Sequence, residues 1–284
     1  MLRQRLLSAA ILAPVVVLVF LAGAPWITLG VAILALLASH EVFRLLALAG
    51  LPGERTIGLV AAPIAVLGIS AAADHDGAAL AFVATVIIMS AIAAFRRSLA
   101  RDGFLAWTST AFGALYVSLL AFLPAIMEVA PAVAAGAPLE GFLDGGRVWL
   151  LVLVLTVWSY DTFAYVVGRA LKRGRFLGHI SPSKTWSGVI GGTVAAVIVC
   201  ALLVVATGQP FLGGLFLGLL IAVTAQAGDV AESLLKRAAG AKDSGSSIPG
   251  HGGILDRLDS FLFAAPGMYA GLILLAAIGV GRPA

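Results

Sequence analysis

The residues able to do chemistry gather in one stretch, Gln226–Ser260, which reads QAGDVAESLLKRAAGAKDSGSSIPGHGGILDRLDS. It places Asp229, Glu232, Lys236, Arg237, Lys242, Asp243, His251, Asp256, Arg257 and Asp259 close together in an otherwise apolar chain. Asp229, Ser233, Lys236 and Arg237 recur at i, i+4, i+7 and i+8, which puts them on one face of a helix. Asp256 and Asp259 are three apart and share a face at the start of a second helix. Between the two helices lie Lys242-Asp243, a Ser/Gly segment and Ile248-Pro249-Gly250-His251-Gly252-Gly253. Glycines there let the backbone approach a ligand and take conformations closed to other residues. Carboxylate oxygens suit Mg²⁺, which prefers one or two carboxylates plus substrate phosphates. Lysines and arginines beside such acids would neutralise phosphate, so the pattern describes phosphoryl or nucleotidyl transfer. A solvated loop of mutual salt bridges is the plainer alternative. It leaves the glycines, and the carboxylates at both helix ends, unexplained.

Two further groups precede this stretch. In WSYDTFAYVVGR, Asp161, Tyr165 and Arg169 are spaced i, i+4, i+8. An aspartate in an apolar span must face protein or a water-filled cavity. It serves either a substrate site or an Asp161–Arg169 network that holds helices together. The next segment is KRGRFLGHISPSKTWSG. Ser181-Pro182 signals a turn, and Ser181, Lys184 and Thr185 stand just before another apolar run. Free N–H groups and the helix dipole favour anions at such a start. The segment is therefore either a phosphate-binding loop or an ordinary loop with a snorkelling lysine. His40 and Glu41 interrupt an earlier apolar run and read as an interfacial pair capping a helix, not as catalytic residues.

The elements that must position these residues are membrane helices. The chain has 284 residues, 61% hydrophobic and only 11% charged, with a mean hydropathy of +1.07. Soluble domains carry about a quarter charged residues. Transmembrane strands alternate polar and apolar, whereas the apolar runs here are continuous and helix-length. The expectation is an all-α, polytopic integral membrane protein with about nine spans. They fall near 6–24, 27–47, 57–73, 78–95, 104–124, 148–170, 188–207, 211–230 and 259–280. The first, behind Arg3 and Arg5, is a span and not a cleaved signal, because it is long and lacks a clear small-residue cleavage site. With the N-terminus inside, sixteen of the eighteen lysines and arginines face the cytoplasm. Only Arg147 and Arg282 lie outside, as does the C-terminus, which is a strong positive-inside bias. Residues 1–125 form about five nearly featureless helices. A Pro/Gly/Ala-rich outer loop follows at 126–147, and a catalytic half with cytoplasm-facing loops spans 148–284. The lone Cys200 lies in an apolar run and excludes a disulfide.

The order Ser233-x-x-Lys236-Arg237, Lys242-Asp243, Pro249-x-His251-Gly252-Gly253-x-x-Asp256-Arg257-x-Asp259 resembles the signature of the phosphatidate cytidylyltransferases, the CDP-diacylglycerol synthases. Ser181-Pro182-x-Lys184-Thr185 and Asp161…Gly168-Arg169 are similar to that family too, and the nine-span plan fits it. One position departs: the family's usual acid before the glycine of the Ser-Pro loop is Ser187 here. The resemblance implies that CTP and phosphatidic acid give CDP-diacylglycerol and pyrophosphate, on the cytoplasmic side of a bacterial inner membrane. Under it, Asp229 and Asp256 are expected to hold Mg²⁺ with Asp259 and Asp243 beside them, with room for a second cation. Lys236, Arg237, Lys242 and Lys184 would clamp phosphates, and His251 would hydrogen-bond a phosphate or shape the glycine turn. Asp161, Arg169, Ser181, Thr185, Ser233, Gly252, Gly253 and Arg257 would line the substrates. The expected partners are CTP, phosphatidic acid and the lipid bilayer, with a homodimer left open and no nucleic acid. The competing readings are a CTP-dependent lipid kinase of the dolichol kinase type and a polytopic transporter.

Overall fold

Continuous runs of Leu, Ala, Val and Ile can bury their backbone polar groups in lipid only by satisfying them within each segment, which dictates helices. The computed structural model describes residues 10, 14–72, 74–248, 250 and 252–279. Among these, every regular element is a helix. The only extended pairings are two isolated antiparallel bridges, Arg175 with Thr185 and Ile248 with Gly252. The helices are α1 (Ala24–Leu48), α2 (Arg55–Ala71), α3 (His75–Ala94), α4 (Ala100–Ser118), α5 (Phe122–Val129), α6 (Gly145–Leu171), α7 (Trp186–Ala206), α8 (Phe211–Ala238) and α9 (Leu255–Ala277). A 3₁₀ turn, Leu119–Ala121, joins α4 to α5, so the two form one span of 30 residues, Ala100–Val129.

That span and α1, α3, α6, α7, α8 and α9 are long and apolar enough to cross a membrane, while α2 is a shorter apolar helix of 17 residues. The protein is thus an all-α polytopic membrane protein. The expected span at 6–24 falls partly outside the described residues, and its residues 14–22 are helical. Arg3, Arg5 and Arg282 also lie outside the described residues. The largest boundary difference is in α8, expected to end near 230, which continues to Ala238 and carries Lys236 and Arg237 in its last turn. Cations there oppose the negative end of the helix dipole. Helix starts are fixed by side-chain caps: Asp74 accepts from Gly77 N, Asp144 from Arg147 N and Thr185 from Gly188 N.

The chain divides into two compact units. The first comprises Met1–Pro124 with Leu234–Leu258, and the second comprises Ala125–Ser233 with Asp259–Ala284. In the first, the Phe43 ring of α1 fills the space left by glycines. A Cβ at Gly58 of α2 would strike the ring, and one at Gly113 of α4 would sit 2.8 Å from it. Beside it, Ala61, Val86 and Ala114 bring α2, α3 and α4 together. In the second unit the helices approach through small residues, the usual device where lipid removes the hydrophobic drive for association. A Cβ at Gly192 of α7 would lie 2.8 Å from the Tyr160 carbonyl of α6. A Cβ at Gly218 of α8 would lie 2.7 Å from Val197 Cα of α7. The Pro/Gly-rich loop belongs to this unit. It is tied down by Trp149 Nε1 donating to Pro131 O at 2.8 Å, by Gln209 Nε2 to Ala132 O at 3.1 Å and by Ala134 N to Thr207 O at 2.9 Å.

Candidate functional site

In the first unit the end of α8, the following loop and the start of α9 form one polar cluster. Lys236 Nζ stands 2.7 Å from Asp256 Oδ1, with side chains only 12% and 13% exposed. The same carboxylate accepts from Ser244 N at 3.0 Å and from Gly253 N at 2.8 Å, while Asp256 N donates to Ser244 Oγ at 3.3 Å. Asp256 therefore ties the two ends of the loop together beside a lysine. Behind it lies Glu41 of α1, fully buried, which accepts from Ser244, Ser247, Ile254 N and Leu255 N. Gly252 takes a positive φ of 87° to close the turn and accepts from Ile248 N. Arg237, Lys242, Asp243 and Arg257 are exposed around this loop, with Arg237 Nη1 donating to Ala241 O at 3.0 Å. His251 and Pro249 lie outside the described residues.

In the second unit Lys184 Nζ stands 2.6 Å from Asp229 Oδ2. Asp161 of α6 is within electrostatic range of both. Two carboxylates and one ammonium thus share one electrostatic neighbourhood, with Asp229 the one in direct contact with the lysine. Beneath them Tyr160 donates to Gln226, so the α6 and α8 positions next to Asp161 and Asp229 are locked together. The Ser-Pro loop is folded back on itself: Phe176 N donates to Lys184 O at 2.9 Å, and Trp186 N to Gly174 O at 3.0 Å. The Phe176 and Trp186 rings pack edge to face. This fold-back delivers Lys184 to Asp229. Ser181 contributes backbone bonds to the turn, its N donating to Leu177 O and its O accepting from Lys184 N. The Thr185 hydroxyl caps α7, so its role here is in the helix start. Ser187 is buried and its Oγ accepts from Arg173 N at 3.3 Å, which gives this departure from the family pattern a loop-closing role. Arg169 turns to Tyr165, donating to its hydroxyl at 2.6 Å. Asp161 instead lies within the electrostatic range of Lys184 and Asp229.

The structure thus brings together Asp161, Lys184 and Asp229 in one unit, and Lys236, Ser244, Gly253 and Asp256 in the other. Ser233 is buried on α8. Asp259 sits in the second unit at a close backbone approach, where a Cβ on Gly228 would strike its carbonyl, and its own carboxylate accepts from Ser260 N. The sequence predicts a shared cation for Asp229, Asp256 and Asp259. Among the described residues of either unit, no three His, Cys, Asp or Glu side chains gather closely enough to hold a metal. Glu41 is the residue the sequence misplaces. Its neighbour His40 does lie at the surface, 2.9 Å from Arg55. Glu41 itself is 1% exposed. The available signal was the expense of an acid inside an apolar run, which demands partners; those partners lie more than 200 residues away in sequence.

A polytopic helical chain with two lysine–aspartate pairs, Lys184–Asp229 and Lys236–Asp256, matches the model of the cytidylyltransferase family over residues 3–275. The chain belongs to that family. Among its relatives, the phosphatidate cytidylyltransferase of Brucella abortus biovar 1 is 46% identical over 134 residues, 46% of this chain and 49% of that protein. The Bacillus subtilis phosphatidate cytidylyltransferase is 41% identical over 133 residues, and that of Synechocystis 44% over 138. The matched stretch spans about half the length of each of these curated relatives.

Proposed function

We propose that this protein is a phosphatidate cytidylyltransferase. A phosphate oxygen of phosphatidic acid attacks the α-phosphorus of CTP. The bond from that phosphorus to the β-phosphate bridging oxygen breaks, giving CDP-diacylglycerol and pyrophosphate. The nucleophile is already anionic near neutral pH, so no general base is needed. The difficulty is to bring two polyanions together, and that is work for fixed cations. Lys184 and Lys236 are the clamps, each held in place by an aspartate, with Arg237 and Lys242 as exposed cations that receive the triphosphate. The observation that carries this reading is the family match over residues 3–275.

A divalent cation would neutralise the triphosphate and draw charge off the leaving group. Asp229 with Asp161 fits such an ion, because two carboxylates within electrostatic range of a single ammonium leave negative charge uncompensated. Mg²⁺ needs only one or two carboxylates when phosphates complete its shell. Asp256, engaged by Lys236 and two backbone N–H groups, frames the loop of the first unit. The sixteen cytoplasmic basic residues support an inside N-terminus, CTP entry from the cytoplasm and residence in a bacterial plasma membrane. The lipid enters sideways between helices. The test is purified protein with phosphatidic acid and CTP labelled at the α- or γ-phosphate, with EDTA and a Mg²⁺/Mn²⁺ series. Label from the α position should appear in lipid, with turnover lost in EDTA and restored by either ion. Transfer of γ-label would make the protein a CTP-dependent lipid kinase. Turnover in EDTA would remove the metal from the proposal.

A further inference from the structure

A carboxylate has acceptor sites for about four hydrogen bonds, and Glu41 fills all of them with one loop. Oε1 accepts from Ser247 Oγ at 2.5 Å and from Ile254 N at 3.0 Å. Oε2 accepts from Ser244 Oγ at 2.8 Å and from Leu255 N at 2.8 Å. The two backbone donors are Ile254, just before α9, and Leu255, its first residue, at a helix start whose N–H groups have no partner within the helix and whose dipole favours an anion. The two hydroxyl donors belong to the other end of the same loop. Glycines let the loop close on the carboxylate. A Cβ on Gly245 would lie 2.5 Å from Glu41 Oε1, and one on Gly253 would strike both Ser244 Oγ and Glu41 Oε2. These two glycines are therefore small because Glu41 occupies the space, a reason different from ligand approach.

We propose that Glu41 is a positioning residue: a buried latch that sets the Ser244–Asp256 loop and, through it, the Lys236–Asp256 pair. Ser244 is the pivot. Its Oγ donates to Glu41 and accepts from Asp256 N, and its N donates to the Asp256 carboxylate. Asp256 in turn holds Lys236. A shift of the Glu41 carboxylate thus reaches the lysine ammonium through two hydrogen-bonded residues. The position of α1 in the first unit becomes part of the site's geometry. The catalytic consequence rests on the cytidylyl-transfer reading; the latch itself does not.

The test uses the full-length protein in nanodiscs. Glu41→Gln keeps the shape but accepts through one oxygen only, and it turns an NH₂ group toward two of the donors. Hydrogen exchange should speed up in peptides covering 244–256 while peptides from α2 to α4 keep their protection. Per folded molecule, kcat should fall at least about tenfold, because small misplacements of catalytic groups are that expensive. KM for phosphatidic acid should move less than about threefold, the split expected when a transition-state interaction is lost. A role in folding alone would lower the yield of active protein and leave kcat per folded molecule unchanged, and that result overturns the proposal. So does unchanged exchange across 244–256. If Glu41→Gln loses protection everywhere, Ser244→Ala/Ser247→Ala decides, with the same loop-local exchange and fall in kcat expected. Wild-type protein that shows no CTP turnover would defeat the functional reading, and the exchange measurement would then judge the latch by itself.

Discussion

The Lys236–Asp256 pair invites the most direct test, because both side chains are almost enclosed, at 12% and 13% exposure. Removing one member of such a pair strands a charge in a poorly solvated place, at a cost of about 3–5 kcal/mol. Asp256→Asn leaves the Lys236 ammonium facing an amide, and Lys236→Met removes the ammonium from the carboxylate. Each single change should therefore cost about 3 kcal/mol. In the double variant no charge is stranded, and the remaining oxygen at 256 still accepts from Ser244 N or Gly253 N. Its loss should be about 3 kcal/mol, no more than either single change, which makes the coupling roughly 3 kcal/mol, at the upper end for contacting residues. The assay is reversible unfolding in mixed micelles followed by far-ultraviolet circular dichroism, on all four members of the cycle. Single effects that simply add, to within about 0.5 kcal/mol, would refute the argument and show that water reaches the pair.

Lys184→Ala removes the cation beside Asp229 and should raise the apparent constant for CTP or phosphatidic acid by roughly ten- to a hundredfold, the worth of one charge-assisted contact; steady-state kinetics with both substrates checks it. Gly58→Ala would drive a methyl into the Phe43 ring and should destabilise by about 1–3 kcal/mol. By contrast Gly68→Ala, on the same helix with open space around it, should stabilise by up to about 1 kcal/mol; thermal unfolding of the pair compares them. Ser246→Cys, at an exposed loop position and made in a Cys200→Ala background, should resist a membrane-impermeant thiol reagent in intact cells and react after permeabilisation. Labelling from outside would reverse the topology.

Most of the fold is written locally. Apolar runs longer than a bilayer is thick, broken by short polar loops, dictate helices regardless of what they touch, because no other structure satisfies the backbone in lipid. Asp229, Lys236 and Asp256 could be singled out for a similar reason: charge in an apolar chain is expensive and survives where it is paired or used. Pairing is a different matter. Which lysine meets which aspartate depends on how loops fold back, and the fold-back of 172–185 onto Thr185 and Trp186 sends Lys184 to Asp229. The i, i+4, i+8 spacing left an Asp161–Arg169 network open beside a substrate-site role, but a helix face fixes neighbours only along its own axis. In three dimensions Arg169 finds Tyr165, and Asp161 lies in the field of Lys184 and Asp229.

By itself the sequence determined the all-helical membrane architecture, the signature loop and the chemistry its residue types suit. Those properties follow from composition, period and spacing along the chain. Only the tertiary structure decided that Ser187 closes a loop, and that Gly245 and Gly253 are small to make room for a carboxylate. Only it decided that Glu41, which reads as an interfacial acid on an early helix, is buried against residues 244–255. These facts rest on contacts between residues far apart in the chain, and hydrogen-bond partners separated by some two hundred residues leave no periodic trace in either segment.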